Sequence, residues 1–202
     1  MAWDVLASDG MLDKTVMALK ANGFDALVVE NGVQAKEKVL SMVPQGAQVM
    51  TMSSVTVDTL GISKEINESG RYDSVKKKLS TMDRKTQNLE MQKLGAAPEW
   101  AIGSVHAVTQ DGHLLIASNT GSQLPAYAYG SAHVIWVVGA QKIVTDTAEG
   151  MKRIYEYVLG LESERMKKAY GISSNVSKLL IMNVEKLPGR VTVVLIKEKL
   201  GF

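Results

Sequence analysis

The chain has 202 residues, of which 46% are hydrophobic and 22% charged, and its 23 basic and 21 acidic side chains give a formal net charge of +2. This composition is typical of one globular domain, and the balanced charge creates no field that would require a nucleic-acid partner. The absence of cysteine excludes disulfides, thiol nucleophiles and cysteine-ligated zinc or iron-sulfur clusters within this chain.

The N-terminal residues do not resemble a targeting signal, because no basic region there precedes an apolar run. No apolar stretch approaches the ~20 residues that cross a bilayer as a helix. We therefore expect a cytoplasmic protein without membrane insertion.

The first 52 residues predict a helix followed by a β-α-β unit. An apolar helical stripe ends at Asn22-Gly23, a strong helix stop signal. Residues 24–29 form a predicted buried strand, and Asn31 can cap a second helix that ends before Pro44. Residues 47–52 then supply the next strand.

The middle of the chain, residues 63–95, is charged and predicts loop-rich helices that could form a cap over the domain. Its basic run, Lys76-Lys77-Lys78, is interspersed with acidic Asp73 and Asp83. This mixture favours a solvated helix face over a phosphate-binding patch. Residues 86–94 form the most regular helical piece.

A period of two begins at Val105 and predicts a hairpin, with strands over 105–109 and 114–118 around the Asp111-Gly112 turn. Residues 134–138 form a continuously apolar strand, typical of a sheet covered on both faces. The remaining predicted elements are helices over 147–157 and 161–169 and strands over 179–182 and 191–196. The alternation indicates a single α/β domain over residues 1–202, a three-layer sandwich with a mostly parallel sheet and an antiparallel hairpin.

The hairpin also argues against a metal site formed by the histidines. A two-residue Asp111-Gly112 turn pairs His106 with Ala117, so His106 and His113 lie about four residues, or roughly 13 Å, apart. That separation is too large for one ion, and no metal is expected. The same pairing places His106 beside the loop that starts at Asn119, where it could assist an acid/base step or act as a structural histidine.

Three short polar loops follow predicted strands and are our candidate ligand site. In open α/β sheets ligands bind outside the carboxyl ends of strands, and small residues let backbone N–H groups approach an anion. Lys142 could neutralise a carboxylate or phosphate. Ordinary turns and helix caps remain the alternative interpretation, and no phosphate-loop or dinucleotide motif occurs. The candidate ligand-binding residues are Ser53, Ser54, Asn119, Thr120, Gly121, Ser122, Gln123, Gly139, Gln141 and Lys142.

Four segments, over residues 103–112, 116–122, 137–144 and 188–202, resemble the lactate-utilisation (LUD) domain family, in particular its short single-domain bacterial members. The resemblance implies a Rossmann-like fold similar to sugar-phosphate isomerases and CoA transferases. It also implies a link to the oxidation of lactate to pyruvate alongside iron-sulfur partner proteins. The chain departs from larger relatives because it has no cysteine clusters, so no iron-sulfur cluster is expected in it.

Three functions follow as hypotheses. The first is a role in lactate or pyruvate metabolism through binding of a small anionic metabolite at the strand ends. The second is a non-catalytic metabolite-binding or scaffold subunit, which the lack of recognisable acid/base pairs favours. The third is a transferase or isomerase acting on CoA esters or sugar phosphates. The sequence identifies no catalytic residue and no cofactor, and it leaves homo-oligomer formation open.

Overall fold

The computed structural model of the protein describes residues 3–202 and contains ten strands and eight α-helices within them. The strands are β1 (Asp25–Val29), β2 (Gln48–Thr51), β3 (Asp73–Ser74), β4 (Trp100–Gly103), β5 (Ala107–Thr109), β6 (Leu114–Ser118), β7 (His133–Gly139), β8 (Ile143–Val144), β9 (Lys178–Met182) and β10 (Val191–Ile196). The helices are α1 (Asp9–Ala21), α2 (Gly32–Met42), α3 (Val55–Thr59), α4 (Ile62–Glu68), α5 (Val75–Ser80), α6 (Asn88–Ala96), α7 (Thr147–Arg153) and α8 (Leu159–Tyr170).

The strands form two sheets. The main sheet is entirely parallel and has the order β1-β10-β7-β4-β2-β3. The second sheet has the order β8-β5-β6-β9, in which β6 is antiparallel to both of its neighbours. The predicted α/β sandwich with a mostly parallel sheet is confirmed.

The three layers follow from the alternation of side chains along the central strand β7. Trp136 packs on one face together with Leu19 of α1 and Ile116 of the second sheet. Ile135, next to it in sequence, packs on the other face with Val39 of α2 and residues of α4. A strand that is buried on both faces has no polar side to show, which explains its continuous apolar run.

The structure corrects the predicted hairpin register by one residue. The Thr109 and His113 main chains bracket a three-residue loop, and Ala107 pairs with Leu115. His106 therefore lies opposite Ile116 in the ladder, not Ala117. Asp-Gly is compatible with either turn, because a three-residue loop also needs a residue in the left-handed conformation at its end. Gly112 has this conformation, with φ +83°.

The prediction also placed the hairpin in the wrong sheet and missed three short strands, β3, β4 and β8. The hairpin was expected to extend the main sheet but belongs to the second sheet, and the strand before it, β4, was not predicted. Because β4 has four residues, all buried, it offers no alternation by which a sequence could reveal it. Helices predicted over 147–157 and 161–169 form one continuous run, since a π-helical turn at Ile154–Val158 joins α7 to α8.

No helix within residues 3–202 is both long enough and apolar enough to cross a membrane.

Candidate functional site

A cavity of about 430 Å³ opens between the two sheets. Its walls come from the segments that follow β2, β4 and β6, together with Lys142 and the face of α8. The segment after β4 carries the chain out of the main sheet and into the second one, and it contributes Ser104, Val105 and His106. The cavity thus lies at the carboxyl edge of the parallel sheet, where such folds hold ligands.

Most of the candidate residues from two of the three predicted loops, and Lys142 from the third, line this cavity. They come together for a reason that differs from the predicted one. The loop after β6 was expected to share an edge with parallel strands, but β6 is an antiparallel strand of the second sheet. The loops meet because the end of β6 faces the carboxyl edge of the main sheet. The candidate residues on the cavity wall are Ser53, Ser54, Asn119, Thr120, Ser122, Gln123 and Lys142, and His106 joins them there.

Gly139 and Gln141 do not line the cavity, although they were predicted to bind a ligand together with Lys142. The Gln141 amide donates to the carbonyl oxygens of Leu200 and Gly201, at 2.9 and 3.2 Å. A side chain at Gly139 would meet Gln141 and the backbone near Leu200. Because a 3-10 turn follows β7, only the last of its three residues, Lys142, reaches the cavity.

Gly121 supports the loop without lining the cavity. Its φ of +85° is a left-handed conformation that glycine adopts without strain. The Ser118 hydroxyl accepts a hydrogen bond from the Gly121 N–H at 2.8 Å and donates to the Gln123 amide oxygen at 3.0 Å. Hydrogen bonds within the loop thus fix the shape of the wall that Asn119, Thr120, Ser122 and Gln123 contribute to the cavity.

Lys142 is the most deeply buried charged group on the wall, with 2% of its surface exposed. Its Nζ lies 3.1 Å from the hydroxyls of Thr56 and Ser104 and 3.2 Å from the carbonyl oxygen of Val105. Burial, and to a lesser extent the charge of Arg153, lowers the pKa of Lys142 from 10.5 to about 7. Near neutral pH the side chain is thus divided between ammonium and amine.

Arg153 is a second buried cation close to the cavity, and sequence analysis missed it. Its guanidinium is fully buried, donates to the main-chain oxygen of His106 at 2.5 Å, and lies 5.3 Å from the centre of the Tyr157 ring. Burial lowers the pKa of Arg153 to about 10, so it remains charged at neutral pH. The helical spacing of Gly150, Arg153 and Ile154 was the signal in the sequence that could have indicated its burial. These residues share one helix face, and all three are buried.

His106 presents a fixed tautomer to the cavity. The backbone N–H of Ala117 donates to its Nδ1 at 3.1 Å, so the neutral ring carries its proton on Nε2. Burial, followed by the charges of Lys142 and Arg153, lowers the pKa of His106 to about 3. His106 is therefore a neutral hydrogen-bond donor at physiological pH, which does not suit it to the acid/base role considered above.

The wall formed by α8 carries an ion pair that is already satisfied. Arg165 donates two hydrogen bonds to the carboxylate of Glu162, at 2.6 and 2.7 Å. This pair contributes little net charge to the cavity. Across residues 3–202, no group of three or more histidine, aspartate or glutamate side chains is arranged to hold a metal ion.

Comparison with known proteins identifies both the fold and the family. The sequence matches the family model for the LUD domain over residues 12–196. The fold is similar to the crystal structure of a DUF162 family protein from Deinococcus radiodurans, with a TM-score of 0.58 and 10% sequence identity over 95% of this chain and 99% of that one. No curated protein matches the sequence.

Proposed function

Because the chain belongs to the LUD domain family, we propose that it binds a small organic acid in the cavity between the two sheets and acts in lactate or pyruvate metabolism. The observation that carries this proposal is the presence of two buried cations, Lys142 and Arg153, that lack an acidic partner. The family name supplies the metabolic context, and the residues of the cavity supply the chemistry.

An uncompensated buried charge is costly, on the order of several kcal/mol, unless a partner neutralises it. Of the ion pairs formed within residues 3–202, none includes Lys142 or Arg153. Hydroxyl and carbonyl oxygens solvate Lys142 but carry no full charge. A bound carboxylate would supply the missing negative charge, and this electrostatic complementarity favours an anionic ligand.

The size and polarity of the cavity fit the same ligand class. Its volume of about 430 Å³ is near the lower end of the roughly 300–1,000 Å³ typical of small-molecule sites. The Asn119–Gln123 loop and the hydroxyls near Lys142 offer hydrogen bonds to a short polar molecule. A small hydroxy or oxo acid matches these groups better than a bulky apolar ligand would.

Ligand binding can be measured by thermal shift and calorimetry with lactate, pyruvate and acetate. We expect the melting temperature to rise by roughly 5–10 °C at a hundredfold excess over Kd. Lys142→Met, which keeps the side-chain length but removes the charge, should abolish most of that rise. Because only the ammonium form attracts the anion, the affinity of the unaltered protein should fall as the pH rises through about 7.

Lys20→Met serves as the matched control, since Lys20 is an exposed lysine in the last turn of α1. It should respond to the acids like the unaltered protein. An absence of any shift with these acids, or an undiminished shift in Lys142→Met, would contradict the proposal.

A second candidate, action on a phosphate-bearing substrate such as a CoA ester or sugar phosphate, is favoured by one further observation. A groove of about 690 Å³ between α4 and α5 adjoins the cavity and shares Asp58 and Lys76 with it. Lys64 and Lys77 also line this groove. Competition between pyrophosphate and pyruvate in the calorimeter separates the two candidates, because only the second expects displacement.

A further inference from the structure

We infer that Lys142 is an amine nucleophile that forms an imine with the carbonyl carbon of a 2-oxo acid bound in the cavity. This inference rests on the proposed function, since the cavity must first admit the acid. It narrows the ligand class to acids that carry a carbonyl group next to the carboxylate.

The surroundings of Lys142 are those of an activated amine. Its Nζ donates to the hydroxyls of Thr56 and Ser104 and to one main-chain carbonyl oxygen, and within residues 3–202 no carboxylate pairs with it. Loss of one proton, and with it one of these hydrogen bonds, frees the lone pair for attack. Desolvation and a neighbouring cation, here Arg153, are the two influences that make a lysine nucleophilic near neutral pH. The pKa of about 7 means that amine and ammonium coexist under physiological conditions.

His106 is suited to polarise the carbonyl group. Because Nδ1 accepts from Ala117, the Nε2–H is its free donor, and His106 lies on the cavity wall with Lys142. Within residues 3–202 the one hydrogen bond of the His106 ring is made by Nδ1, so Nε2–H has no protein acceptor there. A hydrogen bond from Nε2–H to the carbonyl oxygen would draw electrons away from the carbon that Lys142 attacks.

The reaction is a condensation without oxidation or reduction. The Nζ lone pair forms a C–N bond at the carbonyl carbon, the C=O π pair moves to oxygen, and a proton passes from nitrogen to that oxygen. The resulting carbinolamine loses the oxygen as water, leaving a C=N bond to Nζ. When protonated, this imine retains the positive charge of Lys142, so the carboxylate of the acid keeps its partner.

Other titratable groups also line the cavity and can contribute to the pH dependence of the adduct yield. The acidic and basic residues of α8, Glu162 and Arg165, pair with each other and contribute little net charge beside Lys142. Burial raises the pKa of Tyr127, which keeps its hydroxyl protonated. The full set besides Lys142 is Asp58, Lys76, His106, Tyr127, Glu162, Arg165 and Tyr170.

Reductive trapping tests the inference on the full chain. Protein, pyruvate and borohydride are mixed, and the product is analysed by intact mass and peptide mapping. We expect one adduct per chain, with the mass of pyruvate less one oxygen atom, located on Lys142. Its yield should be highest near pH 7, because the ammonium form of Lys142 attracts the acid and the amine form attacks it, whereas exposed lysines require a pH near 10.

Controls separate this inference from the proposed function. Lactate, which has a hydroxyl in place of the keto group of pyruvate, should leave no adduct. Lys142→Met should lose the pyruvate adduct, and Lys20→Met should retain it. A thermal shift with pyruvate but no enrichment of adduct on Lys142 would overturn the imine while leaving acid binding intact. If neither shift nor adduct occurs, both proposals fail. Peptide mapping of the unaltered protein shows whether the adduct is on Lys142, so the test does not depend on the folding of any variant.

Discussion

At the scale of single residues, the two buried cations say more about the candidate site than the exposed charged residues do. Lys142 and Arg153 occupy positions where an apolar side chain of similar length would avoid the cost of desolvation. Under the proposed function, retention of these groups lowers stability in exchange for binding of an anion. This explains why a reduction in charge at Lys142 should have opposite effects on folding and on ligand affinity.

We expect Lys142→Met to raise the free energy of unfolding by about 1–3 kcal/mol at neutral pH. Lowering the lysine pKa from 10.5 to about 7 corresponds to roughly 4 kcal/mol by linkage, and loss of the hydrogen bonds to Thr56 and Ser104 offsets part of it. Urea unfolding measures the difference. A variant that is less stable than the unaltered protein would show that the hydrogen bonds outweigh desolvation.

The same measurement has a defined pH dependence. Between about pH 7 and 10.5, Lys142 is neutral in the folded state but protonated in the unfolded state, so the unfolded state binds more protons. Stability conferred through this group therefore rises with pH across that window and is constant below it. The difference between the variant and the unaltered protein should shrink as the pH rises from about 7 to about 10.

At the scale of elements, the hairpin of β5 and β6 is anchored by its turn. The Asn22 side-chain amide, at the end of α1, donates to the carbonyl oxygens of Asp111 and Gly112, at 2.9 and 3.1 Å. A Cβ at Gly112 would lie 2.8 Å from both the Asn22 amide nitrogen and the Ala18 carbonyl oxygen. The turn thus joins the second sheet to a helix of the main layer, and it needs glycine for space as well as for φ.

Gly112→Ala should consequently destabilise the fold by about twice as much as Gly70→Ala. Both glycines have positive φ, +83° and +75°, and share a backbone cost of roughly 1–2 kcal/mol. Gly70 has nothing within 4 Å of an added Cβ, so its variant isolates the backbone effect. Thermal unfolding of the two variants measures both losses of stability. Equal losses would show that α1 can shift to accommodate the added methyl group without an energetic cost.

At the scale of the whole molecule, a buried ion pair braces the floor of the cavity against the last strand. Arg190, which precedes β10, forms a 2.8 Å ion pair with Glu185 and donates to the main-chain oxygens of Ser131 and Tyr127. Tyr127 lines the cavity and packs edge-on against Trp136 at 5.2 Å. The main sheet and the cavity floor are therefore connected through one guanidinium group.

Removal of this ion pair by Arg190→Met should cost about 3–5 kcal/mol, because it leaves the buried Glu185 carboxylate without its cation and two carbonyl groups without their donor. Arg71→Met is the control, since Arg71 pairs with Glu65 on the surface at 2.8 Å, where such a pair contributes at most about 1 kcal/mol. Chemical denaturation distinguishes them. A loss at Arg190 no larger than that at Arg71 would exclude the bracing role.

The sequence by itself determined the fold class and most of the elements. The helical stripe of α1, the cap at Asn31 and the apolar run of β7 are local patterns whose periodicity reflects which face is buried. The sequence also identified several residues that line the cavity, because a short polar segment after an apolar strand can be recognised without a structure. Family membership followed from the order and spacing of such segments.

Only the tertiary structure decided how these parts assemble. The hairpin register, the separate second sheet and the burial of Arg153 depend on contacts between residues distant in sequence. So does the separation of Lys142 from its neighbour Gln141, which faces the C-terminal segment instead. Desolvation is a property of the surrounding atoms. The sequence therefore identified Lys142 as a cation, whereas only the burial imposed by the fold lowers its pKa to about 7.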